Sequence, residues 1–336
     1  MSQEVRPGER HARLARLITD RVARTGLDLA GLSVLTEAAS GPYVVTPVIA
    51  ALAGADVVAV TADSRYGSAG DVTRDTLELA ERLGVRSRIH ITTDKRWELF
   101  RDADVVTNSG HLRPITGRFA TSIRTNAVVS LMFENWEIQA GRVDLDLEMI
   151  RARGVAVAGT NERHPDVDVF SYLGPMAVAQ LADAGVCAYR GRVALYCNNP
   201  FLDHLTKGLG DAGAEVLVNV TPGDLLDGPQ PDAVVVATTP GSGPAVGRED
   251  LGRLSKRWPD IVLCQFWGEL DRDVCARLGL GVWPTADPGA GHMGVLPSRV
   301  GPEPIVRLQA GGLKVAQVLH IPVDRRTAAD MEWLDV

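Results

Sequence analysis

Short, Val-rich apolar runs alternate with helix-patterned stretches along nearly the whole chain. That alternation constrains the fold more than any other feature. A run that is apolar at every position suits a strand buried on both faces, and helices layered on a parallel sheet provide such burial. Strands are predicted at Leu32–Leu35, 56–61, 88–92, 104–107, 127–132 and 155–158, then at 192–197, 215–220, 233–237, 261–265 and 280–283. Helices are predicted over 44–53, 71–83, 95–102, 144–153, Val169–Ala184 and 303–319, with Asp71 as the cap of the second. The low charge of 169–184 marks it as a connector, and 303–319 is expected to return to the first domain. The expected class is α/β, with two Rossmann-like domains of parallel sheet flanked by helices and an interdomain cleft. The first would take 1–187 plus 301–336, and the second 188–300. The chain has 336 residues, which suits two cores better than one.

Charge narrows the partners. The net charge is −7, whereas a nucleic-acid binder carries a basic stripe that neutralises phosphates. The nearest approach is Arg6, Arg10, Arg13, Arg16, Arg21 and Arg24. Glu4, Glu9 and Asp20 interrupt it, and Leu14, Leu17, Ile18 and Val22 fall on the opposite side. This pattern predicts an amphipathic helix whose arginines face solvent. Cys187, Cys197, Cys264 and Cys275 form no C-x-x-C pair and have no histidine at zinc-finger spacing. Buried, reduced thiols in a cytoplasmic protein are expected, with no metal. The N-terminus lacks an apolar signal region and no run of apolar residues is long enough to span a bilayer, so no membrane partner is expected. A homodimer is the expected assembly, as it is the commonest for soluble enzymes.

Val143-Asp144-Leu145 through Arg153-Gly154-Val155-Ala156-Val157 to Gly159-Thr160-Asn161 resembles a segment of the D-2-hydroxyacid dehydrogenase and formate/glycerate dehydrogenase superfamily. In that family a similar run ends the substrate domain, and a long helix then enters the nucleotide domain. Asp232 to Pro240 likewise resembles the family strand that ends beside the nicotinamide ribose. The likeness spans roughly residues 100–320 and extends more loosely to S-adenosylhomocysteine hydrolase and alanine dehydrogenase. It implies an oxidoreductase with NAD or NADP as cofactor. The chain departs from the family at its phosphate loop, where a G-x-G-x-x-G run lets backbone amides approach a pyrophosphate. Here the loop is Cys197-Asn198-Asn199-Pro200-Phe201-Leu202-Asp203, without a glycine. Trp267 stands where the family has its catalytic arginine. The cofactor contacts expected from the resemblance are therefore non-standard: Asn198, Asn199, Pro200, Phe201, Thr238, Thr239, Pro240 and Gln265.

Several polar clusters follow predicted strands, where ligands bind in open α/β sheets. In Asp287-Pro288-Gly289-Ala290-Gly291-His292, His292 is a candidate general acid/base oriented by Asp287. Gln265-Phe266-Trp267 offers a hydrogen-bonding amide and a stacking face. Asn161, Glu162 and His164 are candidate substrate contacts, and Arg163 can clamp a carboxylate. Glu134 is a candidate base, with Trp136 and Glu137 beside it. Asn108 and Ser109 complete the set of candidate substrate binders. A further signal lies at the start of the chain. Gly41 follows the first strand, and Asp63 follows the second at about the spacing of a ribose-binding acid.

Three functional readings stay open. One is a dehydrogenase acting on a small polar metabolite that carries a carboxylate. The second is an S-adenosylmethionine-dependent methyltransferase on the same fold. The third is a non-catalytic ligand-binding homologue.

Overall fold

The computed structural model describes residues 6–134, 137, 144–218, 222–289 and 291–335. Twelve strands are present among them: β1 (Ser33–Glu37), β2 (Asp56–Val60), β3 (Ile89–Thr92), β4 (Val105–Thr107), β5 (Val128–Ser130), β6 (Ala156–Thr160), β7 (Arg192–Tyr196), β8 (Glu215–Val218), β9 (Ala233–Ala237), β10 (Val262–Trp267), β11 (Gly281–Trp283) and β12 (Leu334–Asp335). The α/β expectation holds, with two mostly parallel sheets flanked by helices. The chain divides into two compact units, Met1–Val169 with Gly301–Val336, and Phe170–Val300. The division lies at 169/170, whereas the sequence pattern places it at 187/188. Helix Leu173–Asp183 explains the difference, because it packs on helix Leu202–Asp211 of the second unit. Gly174 and Gly208 face each other at that crossing, and a Cβ on either would strike the other's backbone.

The first unit carries a seven-stranded sheet in the order β12-β6-β5-β4-β1-β2-β3. All its pairs are parallel except β12 with β6. Strand order reverses between β1 and β4, where Val34 is in register with Val105 and Leu35 with Val106. Helix Glu303–His320 packs on helices His11–Thr25 and Val45–Leu52 and on β5 and β6, as its apolar run implied. Gly311 and Gly312 permit this approach: a Cβ on them would strike Val167 and Met132.

Two local expectations need correction. Ser68, not Asp71, caps helix Ala69–Arg82; its hydroxyl accepts from the Asp71 amide at 3.1 Å and donates to the Asp71 carboxylate at 2.7 Å. Arg21 is not on a solvated face. It is buried, and its Nη1 donates to the Asp166 carbonyl at 2.9 Å. A long side chain can bury its stem where its head finds an acceptor, and the helical wheel cannot see that acceptor.

The second unit carries a five-stranded parallel sheet, β11-β10-β9-β7-β8. Its order reverses between β7 and β9, where Leu195 pairs with Val235. The 169–184 helix begins as a short 3-10 turn at Phe170–Tyr172 before Leu173. Cys197, Cys264 and Cys275 are buried, but Cys187 is exposed, contrary to expectation. Among the described residues, no helix is long and apolar enough to cross a membrane and no group of His, Cys, Asp or Glu could hold a metal ion.

Candidate functional site

Each sheet has a strand reversal, and ligands in open α/β sheets bind beyond the strand ends at such a point. In the second unit the reversal brings the loop after β7 against the loop after β9. A hollow of about 360 Å³ opens there, lined by Cys197, Asn198, Asn199, Pro200, Leu202 and Asp203.

The asparagines in this loop serve the chain itself. Asn199 Oδ1 accepts from the Phe201 amide at 3.0 Å, and its Nδ2 donates to the Ala237 carbonyl at 2.7 Å. Asn198 Oδ1 accepts from the Thr239 amide at 2.7 Å. Side-chain oxygens therefore occupy two backbone amides, one in the loop after β7 and one in the loop after β9. Pro200 offers no amide, and Asp203 adds negative charge in the first helical turn. These residues do not fit a dinucleotide pyrophosphate held in the usual way. Thr238 is buried, and its Oγ1 has no partner among the described residues. Gly268, at φ +84°, lies so close to Thr238 that no side chain would fit there. Pro240 follows Thr239 in the same loop.

Gln265 and Trp267 are likewise engaged. Gln265 Oε1 accepts from Arg272 Nη1 at 2.8 Å, and its Nε2 donates to the Gly268 carbonyl at 2.9 Å. Trp267 Nε1 donates to the Gly291 carbonyl at 3.1 Å. Together with Arg272 Nη2, which donates to the Pro284 and Thr285 carbonyls, they brace the loop after β11. That loop displays His292, which is exposed. Asp287 is also exposed, and its Oδ1 accepts from the Gly289 amide at 2.9 Å, which makes it a turn-former. Ala290, between the two glycines, lies outside the described residues.

In the first unit the polar groups gather at the carboxyl ends of the strands. Glu134 follows β5 with its side chain 4% exposed, and Arg163 Nη2 lies 3.2 Å from its Oε2. The Glu137 amide donates to the Glu134 carbonyl, and Trp136 lies outside the described residues. The 161–166 loop holds the C-terminal strand: Asn161 Nδ2 donates to the Glu332 carbonyl at 2.8 Å, and the Asn161 amide donates to that of Trp333. His164 stacks on Trp333 with ring centroids 3.8 Å apart, and its Nδ1 accepts from the Asp166 amide. Burial lowers its pKa. The Glu162 carbonyl accepts from the Val169 amide. The structure thus gives Asn161 and His164 positioning work and leaves Arg163 and Glu134 as a charged pair.

At the β1/β4 reversal, Asn108 Oδ1 accepts from the Met132 amide at 2.7 Å. Its Nδ2 is buried and has no partner among the described residues. Ser109 Oγ lies 2.5 Å from Thr107 Oγ1 and 3.3 Å from Thr36 Oγ1. Sequence reasoning passes over the residue beside them, Glu37, which is 8% exposed at the end of β1. Its Oε2 accepts from the His111 amide at 2.9 Å, and a Cβ on Gly110 would collide with its carboxylate. Burial pushes the Glu37 pKa up, opposed by the His111 amide and by the charges of His111 and Arg113. The available signal is a carboxylate closing an otherwise uncharged strand, Ser33-Val34-Leu35-Thr36-Glu37.

No protein-family model matches the chain, and no curated protein matches it in sequence. Solved structures do match. A dipicolinate synthase from Bacillus halodurans aligns at 11% identity with a TM-score of 0.52, over 88% of this chain and 100% of that one. The dipicolinate synthase of Bacillus subtilis aligns at 11% with a TM-score of 0.51, over 88% and 97%. The two-unit Rossmann-like fold is shared with these proteins.

Proposed function

We propose that this chain is an oxidoreductase that uses NAD or NADP on a small polar metabolite bearing a carboxylate. The observation that carries the reading is the pair of doubly wound units, each with a strand reversal where polar groups collect. The likeness of fold to dipicolinate synthase supports the architecture, and the resemblance of residues 143–161 and 232–240 supports the cofactor class. When bound, the nicotinamide supplies the hydride chemistry.

The chain's own groups fall into distinct roles. Arg163 is suited to a substrate carboxylate, because a guanidinium meets it with two parallel donors. Glu134, paired with Arg163, fixes the guanidinium's orientation. Glu37 is suited to hold a proton, since burial favours its neutral form. His292, exposed on a glycine-rich turn, is the candidate that exchanges a proton with solvent.

Titration calorimetry and thermal shifts with NAD, NADP, S-adenosylmethionine and S-adenosylhomocysteine test the reading. A rise in melting temperature with NAD or NADP alone is expected. Binding of only the S-adenosyl compounds would replace oxidoreduction by methyl transfer. Binding of none of the four would favour a non-catalytic ligand-binding protein.

A further inference from the structure

The sheet of the first unit, without its edge strand β12, runs β3-β2-β1-β4-β5-β6. That is the strand order of dinucleotide-binding sheets, with the crevice between the first and fourth strands. Three features meet there. First, the backbone amides of Ala39, Ser40 and Gly41, just past β1, are spent on no other group among the described residues. Gly41 sits at φ +62°, a conformation glycine adopts freely, and helix Val45–Leu52 follows after a short 3-10 turn. Second, Asp63 lies just past β2 and is exposed. Its Oδ1 accepts from the Ala69 amide at 2.8 Å, which orients the carboxylate and leaves its other oxygen available. Third, across the reversal, Asn108 is 2% exposed with its Nδ2 donor unpartnered among the described residues. A buried donor without an acceptor is costly unless a ligand or water completes it.

We infer that the first unit, not the second, seats the nucleoside end of the cofactor, with Asp63 accepting from the ribose diol and the 39–41 amides facing the anionic 5′ group. This rests on the proposed use of a nucleotide cofactor. The second unit argues the same way by contrast, since Asn199 takes the Phe201 amide in the loop after β7 and Asn198 takes the Thr239 amide in the loop after β9. Its second strand also runs into Val218-Asn219-Val220-Thr221, which has no acid for a diol. The ligand class is a nucleoside with a free 2′,3′-diol and an anionic group on its 5′ carbon. A 2′-phosphate would meet the Asp63 carboxylate, so NAD is preferred to NADP.

The test is titration calorimetry of the full chain with NAD, NADP and ADP-ribose, with hydrogen exchange on the same samples. NAD and ADP-ribose should slow exchange at 38–46 and 61–68 and leave 196–204 unchanged. Asp63→Ala should weaken NAD by about tenfold or more, as loss of a charge-assisted hydrogen bond implies. Asp63→Ser, which retains an acceptor for the Ala69 amide, serves if the alanine variant does not fold. Asn198→Ala should change NAD affinity less than about twofold. NAD binding that protects 196–204 and ignores Asp63 would overturn the inference and keep the cofactor reading. Failure of the wild type to bind any of the three would overturn both.

Discussion

The two strand reversals share a backbone plan and differ in what their side chains do with it. In the second unit the loops after β7 and β9 are tied together by Asn198 and Asn199, and Trp267, Gln265 and Arg272 hold the next loop down. In the first unit the amides of residues 39–41, after β1, have no partner among the described residues, and Glu37 reaches across to the loop after β4. A parallel sheet therefore only locates a crevice. Whether the crevice accepts an anion depends on a few side chains, because a backbone amide bonded to an asparagine is no longer available to a phosphate.

Four measurements can break or sharpen that contrast. The largest effect is expected from Gly294→Ala in the second unit. A methyl there would collide with the Gln265 carbonyl, and neither backbone can yield, so a loss of about 3 kcal/mol is expected by chemical denaturation. A loss under about 1 kcal/mol would mean that the loop is not braced against β10.

Asn199→Ala comes next. It deprives the Phe201 amide and the Ala237 carbonyl of partners, for a loss of about 2 kcal/mol. An unchanged denaturation midpoint would show that water replaces the asparagine and that the loop is open after all.

Glu37→Gln probes the first unit through pH. Burial raises the pKa of Glu37, so its protonated form favours the folded state. That contribution is complete below the ordinary carboxylate pKa and is lost as pH rises through the raised value. The melting temperature of the wild type should therefore fall relative to the glutamine variant across that window, then run parallel above it. A constant difference at all pH values would contradict the assignment.

The smallest effect concerns thiols. Cys187 is exposed and should react with a disulfide reagent at once in native protein. Burial pushes the thiols of Cys264 and Cys275 up to about 12 and about 11, so they should react only on unfolding. Labelling of more than one thiol in the native protein within the same burst would show that the second unit is looser than described.

Much of the fold is legible in the sequence because local pattern and burial agree in α/β proteins. Ala233–Ala237 is buried at every position and has the bounds its apolar run predicts, and the other described strands lie within a few residues of expectation, except β12, which the pattern does not predict. Helix caps and single buried polar groups are less legible. Ser68 and Asp71 are both capable caps, and only the backbone geometry chooses between them. Arg21 reads as one more surface arginine until Asp166, far away in sequence, supplies the acceptor.

The candidate sites divide in the same way. Asn198, Asn199, Gln265 and Trp267 stand where the sequence places them, at strand ends, yet their hydrogen bonds turn inward. Glu37 is marked in the sequence only as the carboxylate that closes an uncharged strand, yet it is the buried carboxyl of the first unit's reversal.

By itself the sequence determined the alternation of strands and helices, the count of cores and the lack of a glycine phosphate loop. Those are properties of neighbouring residues and of composition. The tertiary structure alone decided strand order, and so which crevice exists. It also decided which amides and carboxyls remain available there, because hydrogen-bond partners distant in sequence leave no mark on the local pattern.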